Sequence, residues 1–165
     1  MFDVRVAQKR CYNIHMNTQV HFRSKTKREF IEQAVAILAR ELKLDKRDFD
    51  LDICVRKGLS KKGGYDGAVQ KHEDGGYVMF VDSALKADKM IQVLAHEMVH
   101  LKQFVLGQLR IDVDEYGFAT YYWMGKQNTD KYFDRPWEID AWAKERLLSI
   151  KVERKLWGNP AFEQA

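Results

Sequence analysis

Apolar residues recur at Phe30, Ala34, Ile37, Leu38 and Leu42, three and four apart, as one buried face of a helix requires. Thr26-Lys27-Arg28-Glu29 just ahead has the form of a capping box, so a helix is expected from Thr26 to about Leu44. Residues 49–55 alternate apolar and acidic positions, the pattern of a half-buried strand. A basic, glycine-containing turn over residues 58–64 is followed by two further expected strands, residues 65–70 and 77–81, joined by a loop holding His72, Asp74, Gly75 and Gly76. From Met90 to Leu106 the chain is apolar nearly all round, which marks a buried helix. Asp82 or Ser83 is its expected cap, and Gly107 a good stop.

The second half carries weaker signals. Ile111 to Asp114 and Phe118 to Met124 suit a hairpin turned at Tyr116-Gly117, and residues 128–135 read as loop. Pro136 has the fixed φ of a first helical position, and the helix it opens continues through Leu147, Leu148, Ile150 and Val152 to about Trp157. The order of elements is helix, three strands, buried helix, irregular insert and C-terminal helix, an α+β arrangement. Residues 4–20 alternate irregularly and read as an extended arm or short strand. One domain over residues 1–165 is expected, with residues 1–22 as a possible N-terminal arm.

Composition narrows the class. With 45% hydrophobic and 12% aromatic residues, the chain belongs with folded rather than disordered proteins. Cys11 and Cys54 form no C-x-x-C, so neither a thiolate metal site nor a disulfide framework is indicated. The charged start Met1-Phe2-Asp3-Val4-Arg5 does not resemble a signal peptide, and no stretch approaches a membrane span. A cytoplasmic setting is the expectation. Basic residues cluster at Arg23, Lys25, Lys27 and Arg28, and again at Arg56, Lys57, Lys61 and Lys62. Acids at Asp45, Asp48, Asp50 and Asp52 lie between them, and no aromatic nucleic-acid motif accompanies them. Solvated loop charge is favoured over a nucleic-acid surface.

The chemistry lies within the buried helix, at His96-Glu97-Met98-Val99-His100. Residues four apart share a helix face, so His96 and His100 can aim two imidazoles at one point. Neutral imidazole suits Zn²⁺, and a catalytic zinc takes three protein ligands plus a water. Glu97 is placed to take a proton from that water as general base. Buried in an apolar helix, these groups would cost several kcal/mol unless something satisfied them. His15, His21 and His72 all precede the motif and no histidine follows it. A third ligand from downstream must therefore be a carboxylate. Glu138, Asp140 and Glu145 on the last helix are the choices. Glu138 lies in the first turn, where the macrodipole alone favours an acid. Asp140 points to another face, and Glu145 lies two turns on. Small Ala141 would let this helix approach the one carrying the histidines.

An H-E-x-x-H helix with a glutamate from a separate later helix resembles the gluzincin branch of zinc metallopeptidases. Trp123-x-Gly125, Tyr132 and Pro136-Trp137-Glu138-x-Asp140-Ala141 look similar to small single-domain zincins of bacteria and their viruses, the minigluzincin and SprT-like groups. The resemblance covers about half the chain, from Gly75 to the helix after Pro136. It implies a minimal zincin fold, zinc at His96, His100 and Glu138, and Glu97 as the base of a peptidase. It also implies that an extended peptide or protein substrate pairs with the strand before the metal helix, Gly76-Tyr77-Val78-Met79-Phe80-Val81. Better-known gluzincins carry an acid four residues after the ligand glutamate to support a zinc-bound histidine. Trp142 stands there instead, so that support must come from elsewhere or from a backbone carbonyl. Tyr116, Tyr121, Tyr122, Tyr132 and Arg135 are the candidates for stabilising an oxyanion, with Tyr132 preferred for its position just before the ligand helix. The alternative function is a binding or regulatory module with a structural zinc, contacting nucleic acid or an acidic partner. The N-terminal arm is a candidate for blocking the cleft.

Overall fold

A computed structural model of the chain describes residues 15–158. The fold is α+β. Strand β1 (Asn17–His21) leads into helix α1 (Lys25–Glu41), and β2 (Asp50–Arg56) into a short helix α2 (Leu59–Gly63). Strands β3 (Gly67–Lys71) and β4 (Tyr77–Asp82) precede the long helix α3 (Ala87–Val105). A meander of β5 (Leu109–Val113), β6 (Ala119–Trp123) and β7 (Lys126–Asn128) follows, then a 3₁₀ turn (Tyr132–Asp134) and helix α4 (Pro136–Trp157).

The main sheet has the order β1-β2-β4-β3. The β1/β2 and β2/β4 pairs are parallel, while β3 and β4 form an antiparallel pair. β2 buries Leu51, Ile53 and Val55 and exposes the intervening acids, as its alternation requires. β4 is buried along almost its whole length, because strands pair with it on both sides and helices cover the sheet. The helical core is a continuous set: Ile31 and Leu38 of α1, Ile91, Leu94 and Met98 of α3, and Leu148 and Val152 of α4. α4 packs along α3, and fully buried Ala141 supplies the small side chain that close approach needs.

Local chemistry departs from the expected boundaries at several points. The cap of α1 is Ser24, whose Oγ accepts from Lys27 N at 3.3 Å, two residues before the expected Thr26. Part of the expected arm is β1, which pairs Asn17 opposite Asp50 at the sheet edge away from β3. Residues 17–21 therefore do not cover the cleft beside β3, and residues 1–14 lie outside the described residues. The expected basic turn encloses α2, and the hairpin in the insert turns where expected. There Asp114 Oδ1 accepts from Tyr116 N at 3.0 Å and Phe118 N at 2.8 Å, while Gly117 has φ 86°. Its third strand, β7, is too short for a periodic signal. Among the described residues, no helix is long and apolar enough to cross a membrane.

Asp82 does not cap α3, which starts four residues later from Lys86. Its carboxylate instead gathers the end of β4 and the start of α2. It accepts from Ala84 N at 2.9 Å, Ser60 N at 3.1 Å, Gly58 N at 3.4 Å and Ser60 Oγ at 3.2 Å. These donors, the Ala84 and Ser60 N–H groups foremost, hold the buried acid at about 2. An acid depressed below its unfolded value stabilises the fold above that value, and the contribution is lost as pH falls toward the folded one. Asp82→Asn is expected to cost about 1–3 kcal/mol near pH 7. In denaturant titrations, the gap to wild type should close as pH falls from about 4 toward 2. An equal gap at both ends would show that charge plays no part.

Candidate metal centre

α3 brings His96 and His100 one turn apart on the face that meets α4, and the first turn of α4 brings Glu138 against both. His96 Nε2 and His100 Nε2 are 3.0 Å apart, and Glu138 Oε2 is 3.4 Å from each. Zinc–ligand bonds of 2.0–2.1 Å in a tetrahedron space the donors about 3.3 Å apart. The three atoms thus form one face of such a tetrahedron.

Their protons point away from that face. His96 Nδ1 donates to Glu145 Oε2 at 2.8 Å, and His100 Nδ1 to Gln103 Oε1 at 2.8 Å. The Gln103 amide has no freedom to flip, because its Nε2 donates to Trp137 O and Asp140 Oδ2, both at 3.0 Å. With both neutral imidazoles protonated on Nδ1, each Nε2 presents a lone pair. Two lone pairs and a carboxylate oxygen then converge on one point. Glu138 is only 6% exposed, and its Oε2 has no hydrogen-bond donor among the described residues. Burying such a set is costly unless a cation or protons satisfy it.

The charges lean on one another accordingly. Burial pushes the Glu138 carboxyl up, but the imidazoles of His100 and His96 outweigh it and bring it to about 2. Burial pushes His96 down, and the carboxylates of Glu138, Glu97 and Glu145 outweigh it to leave the imidazole raised. Glu97, adjacent to the cluster and 6% exposed, is raised chiefly by burial, with both histidines and the Val69 N–H opposing. An acid raised in this way is a better proton acceptor than an ordinary carboxylate.

The other predicted residues divide clearly. Asp140 and Glu145 do not reach the three-atom face. Both instead support its histidines, Glu145 directly and Asp140 through Gln103. The acid behind His96 stands seven residues after Glu138 rather than four, still on the same face of α4. Trp142, in the intervening turn, stacks on Phe133 with centroids 5.9 Å apart. Gln103 was missed, though its i+3 spacing from His100 was a readable signal. Tyr132 lies against Glu138, and burial, with Glu138 and Glu97 adding, pushes its phenol up to about 12. Tyr116 is 78% exposed at the hairpin tip, and Tyr122 lies under Arg110. Tyr121 and Arg135 line the cleft with the histidines.

The expected substrate strand needs correction. β4 is paired with β2 along one side and β3 along the other, so residues 76–81 offer no free edge. β3 is the edge strand. Asp82 N bonds Asp66 O and His72 N bonds Gly76 O, which turns the even-numbered residues of β3 toward β4. The backbone groups of Gly67, Val69 and Lys71 then point away from the sheet. β3 also lies against α3, and a Cβ on Gly67 would stand 2.6 Å from Val93 Cγ1 and 3.2 Å from Glu97 Cγ. Glycine is what lets the edge strand lie this close to Glu97.

No family model, curated protein or solved structure matches this chain. The geometry therefore stands without a relative to interpret it.

Glu145→Ala is expected to weaken zinc binding roughly 10- to 100-fold, the usual cost of losing a histidine's outer partner. Chelator competition measures this, and wild-type affinity in the variant would remove Glu145 from the centre. Gly67→Ala should destabilise the fold by about 1–3 kcal/mol through overpacking against Val93. Denaturant unfolding should show it as a shifted midpoint.

Proposed function

We propose that the protein is a zinc-dependent peptidase of the gluzincin type, with His96, His100 and Glu138 as ligands and Glu97 as general base. The observation that carries this reading is the convergence of a buried carboxylate oxygen with the lone pairs of two imidazoles whose protons are committed elsewhere, with a raised carboxyl beside them. A structural zinc would account for the ligands, but it has no use for a buried acid at Glu97.

A zinc ion held by His96, His100 and Glu138 would supply Lewis acidity, to polarise the scissile carbonyl and make the attacking water more acidic. Glu97 takes the proton from the attacking water and passes it to the leaving amine. Tyr132, still protonated at any working pH, donates a hydrogen bond to the oxygen on which charge develops. The outward backbone groups of Gly67 and Lys71, with the Val69 C=O, pair with an extended peptide, which sets the scissile bond over Glu97. Cavities of about 230 and 260 Å³ flank this point. Both are lined by Tyr65, Gly67, His96, Glu97 and Tyr132, so a peptide along β3 has room on either side.

Metal analysis of wild type beside Glu138→Ala tests the centre, with about one zinc per wild-type chain expected and little in the variant. Glu97→Gln should keep its zinc and lose about 10²–10⁴-fold in peptide hydrolysis. Tyr132→Phe should lose on the order of 10²-fold in kcat with KM little changed. Wild type that takes up no zinc, or Glu97→Gln with full activity, would end the peptidase reading.

A further inference from the structure

One charged group in the cleft is left over by this chemistry. Arg135 immediately precedes α4 and lines the same cavity as Glu97, His100 and Glu138. Aromatic rings hold its guanidinium in place: Tyr121 with its centroid 4.3 Å away, Trp137 at 5.5 Å and Tyr132 at 5.7 Å. Packing of this kind covers the flat faces of a guanidinium and leaves its N–H edges to hydrogen-bond. Among the described residues only its Nε finds an acceptor, Asp130 O at a long 3.4 Å. Among the described residues no carboxylate ion-pairs with Arg135, whereas Arg110 has Asp112 at 3.1 Å. Leu109, Ile111 and Phe104 complete the walls, and an apolar surround strengthens a charge pair formed there.

We propose that Arg135 receives a carboxylate of the substrate, so that the preferred peptides carry an acidic group on the side of the scissile bond that lies over β5 and β6. This rests on the peptidase reading and adds a substrate class to it. The fork geometry suits a planar, bidentate anion. Either an Asp or Glu side chain or the peptide's own C-terminal carboxylate provides that chemistry. The need for such a cation is electrostatic. Glu97 and Glu138 are both acids, and an incoming carboxylate meets them unless a fixed positive charge faces it. Arg135 acts here as a specificity residue and takes no part in the proton transfers.

The test is binding, read separately from turnover. Full-length Glu97→Gln protein loaded with zinc is titrated with octapeptides, followed by calorimetry and by intrinsic tryptophan fluorescence. One set is capped at both ends and carries a single glutamate moved along an otherwise neutral sequence. A matched set carries glutamine, and a third has neutral side chains and a free C-terminus. At one position, or with the free terminus, the acid should bind roughly 10- to 100-fold more tightly than its neutral counterpart. That gap should vanish when Arg135→Gln is added and be only partly kept by Arg135→Lys, which retains charge without the fork. Position dependence in the capped set assigns a side-chain acid, and a gain confined to free ends assigns the chain terminus. Equal binding of acidic and neutral peptides, or a gap that survives Arg135→Gln in a protein with wild-type unfolding, overturns the assignment. So does a set in which nothing binds. In wild-type background, Arg135→Gln should slow acidic substrates selectively, whereas slowing every substrate alike would make Arg135 an oxyanion stabiliser instead. Zinc uptake and cleavage of mixed-sequence peptides stand or fall separately, which separates failure of this assignment from failure of the peptidase reading.

Discussion

Three lone pairs pointed at one buried spot are the constraint around which the C-terminal half is arranged. His96 and His100 arrive from α3 and Glu138 from α4, so the spot can exist only where those helices touch. Ala141, on the turn after Glu138, keeps the contact tight. Gln103 then links the helices, accepting a hydrogen bond from His100 and donating across to Trp137 O and Asp140. Glu145 makes the same kind of link from the far side of His96. Each of these groups is expensive to bury alone and inexpensive in company, so the network is cooperative by construction.

The sheet is the second half of the device. Its order puts β3 at the edge, against α3, with the Val69 N–H turned toward Glu97. Two local features hold it there. Gly67 removes the Cβ that would press on Val93 and Glu97. Asp82, at the end of β4, ties the start of α2 to that strand and so fixes the chain leading into β3. Neither touches the three donors, yet both determine where an extended chain could lie relative to them.

How much of this was legible depended on whether the signal was local. His96, Glu97 and His100 are a local pattern on a strongly apolar helix, and Pro136 announces where α4 begins, so the turn that carries Glu138 was readable. Glu145 was read as a rival ligand because spacing alone cannot say which side of an imidazole a carboxylate meets. Sheet order was not readable either. The run from Tyr77 to Val81 is apolar enough for an interior strand or for an edge packed under a helix, and the choice is made by β2, β3 and β4 pairing over long sequence distances. The pattern around β1 fits an extended arm or a short strand equally, because only Val20 among its residues is buried. Its place is settled by pairing with β2 rather than by its own pattern. Asp82 was taken for a helix cap because a short acid before a helix usually is one. Here donors from α2, far back in the chain, compete for it and win.

The same arrangement explains why chemistry and stability cannot be separated in this half of the molecule. A cation held by groups from α3 and α4 binds the folded pairing and not the unfolded chain, so its binding free energy adds to folding. At Glu138 burial and the two histidines oppose each other, and the histidines hold the carboxyl low. The sheet, whose core is Leu51, Ile53, Met79 and Val81, contributes none of the donor atoms. The aromatic cluster of Tyr132, Phe133 and Trp142 packs beside the α3–α4 contact. Tyr132 belongs to that cluster and also faces Glu138, so the cluster and the three converging donors are positioned by the same helix contact.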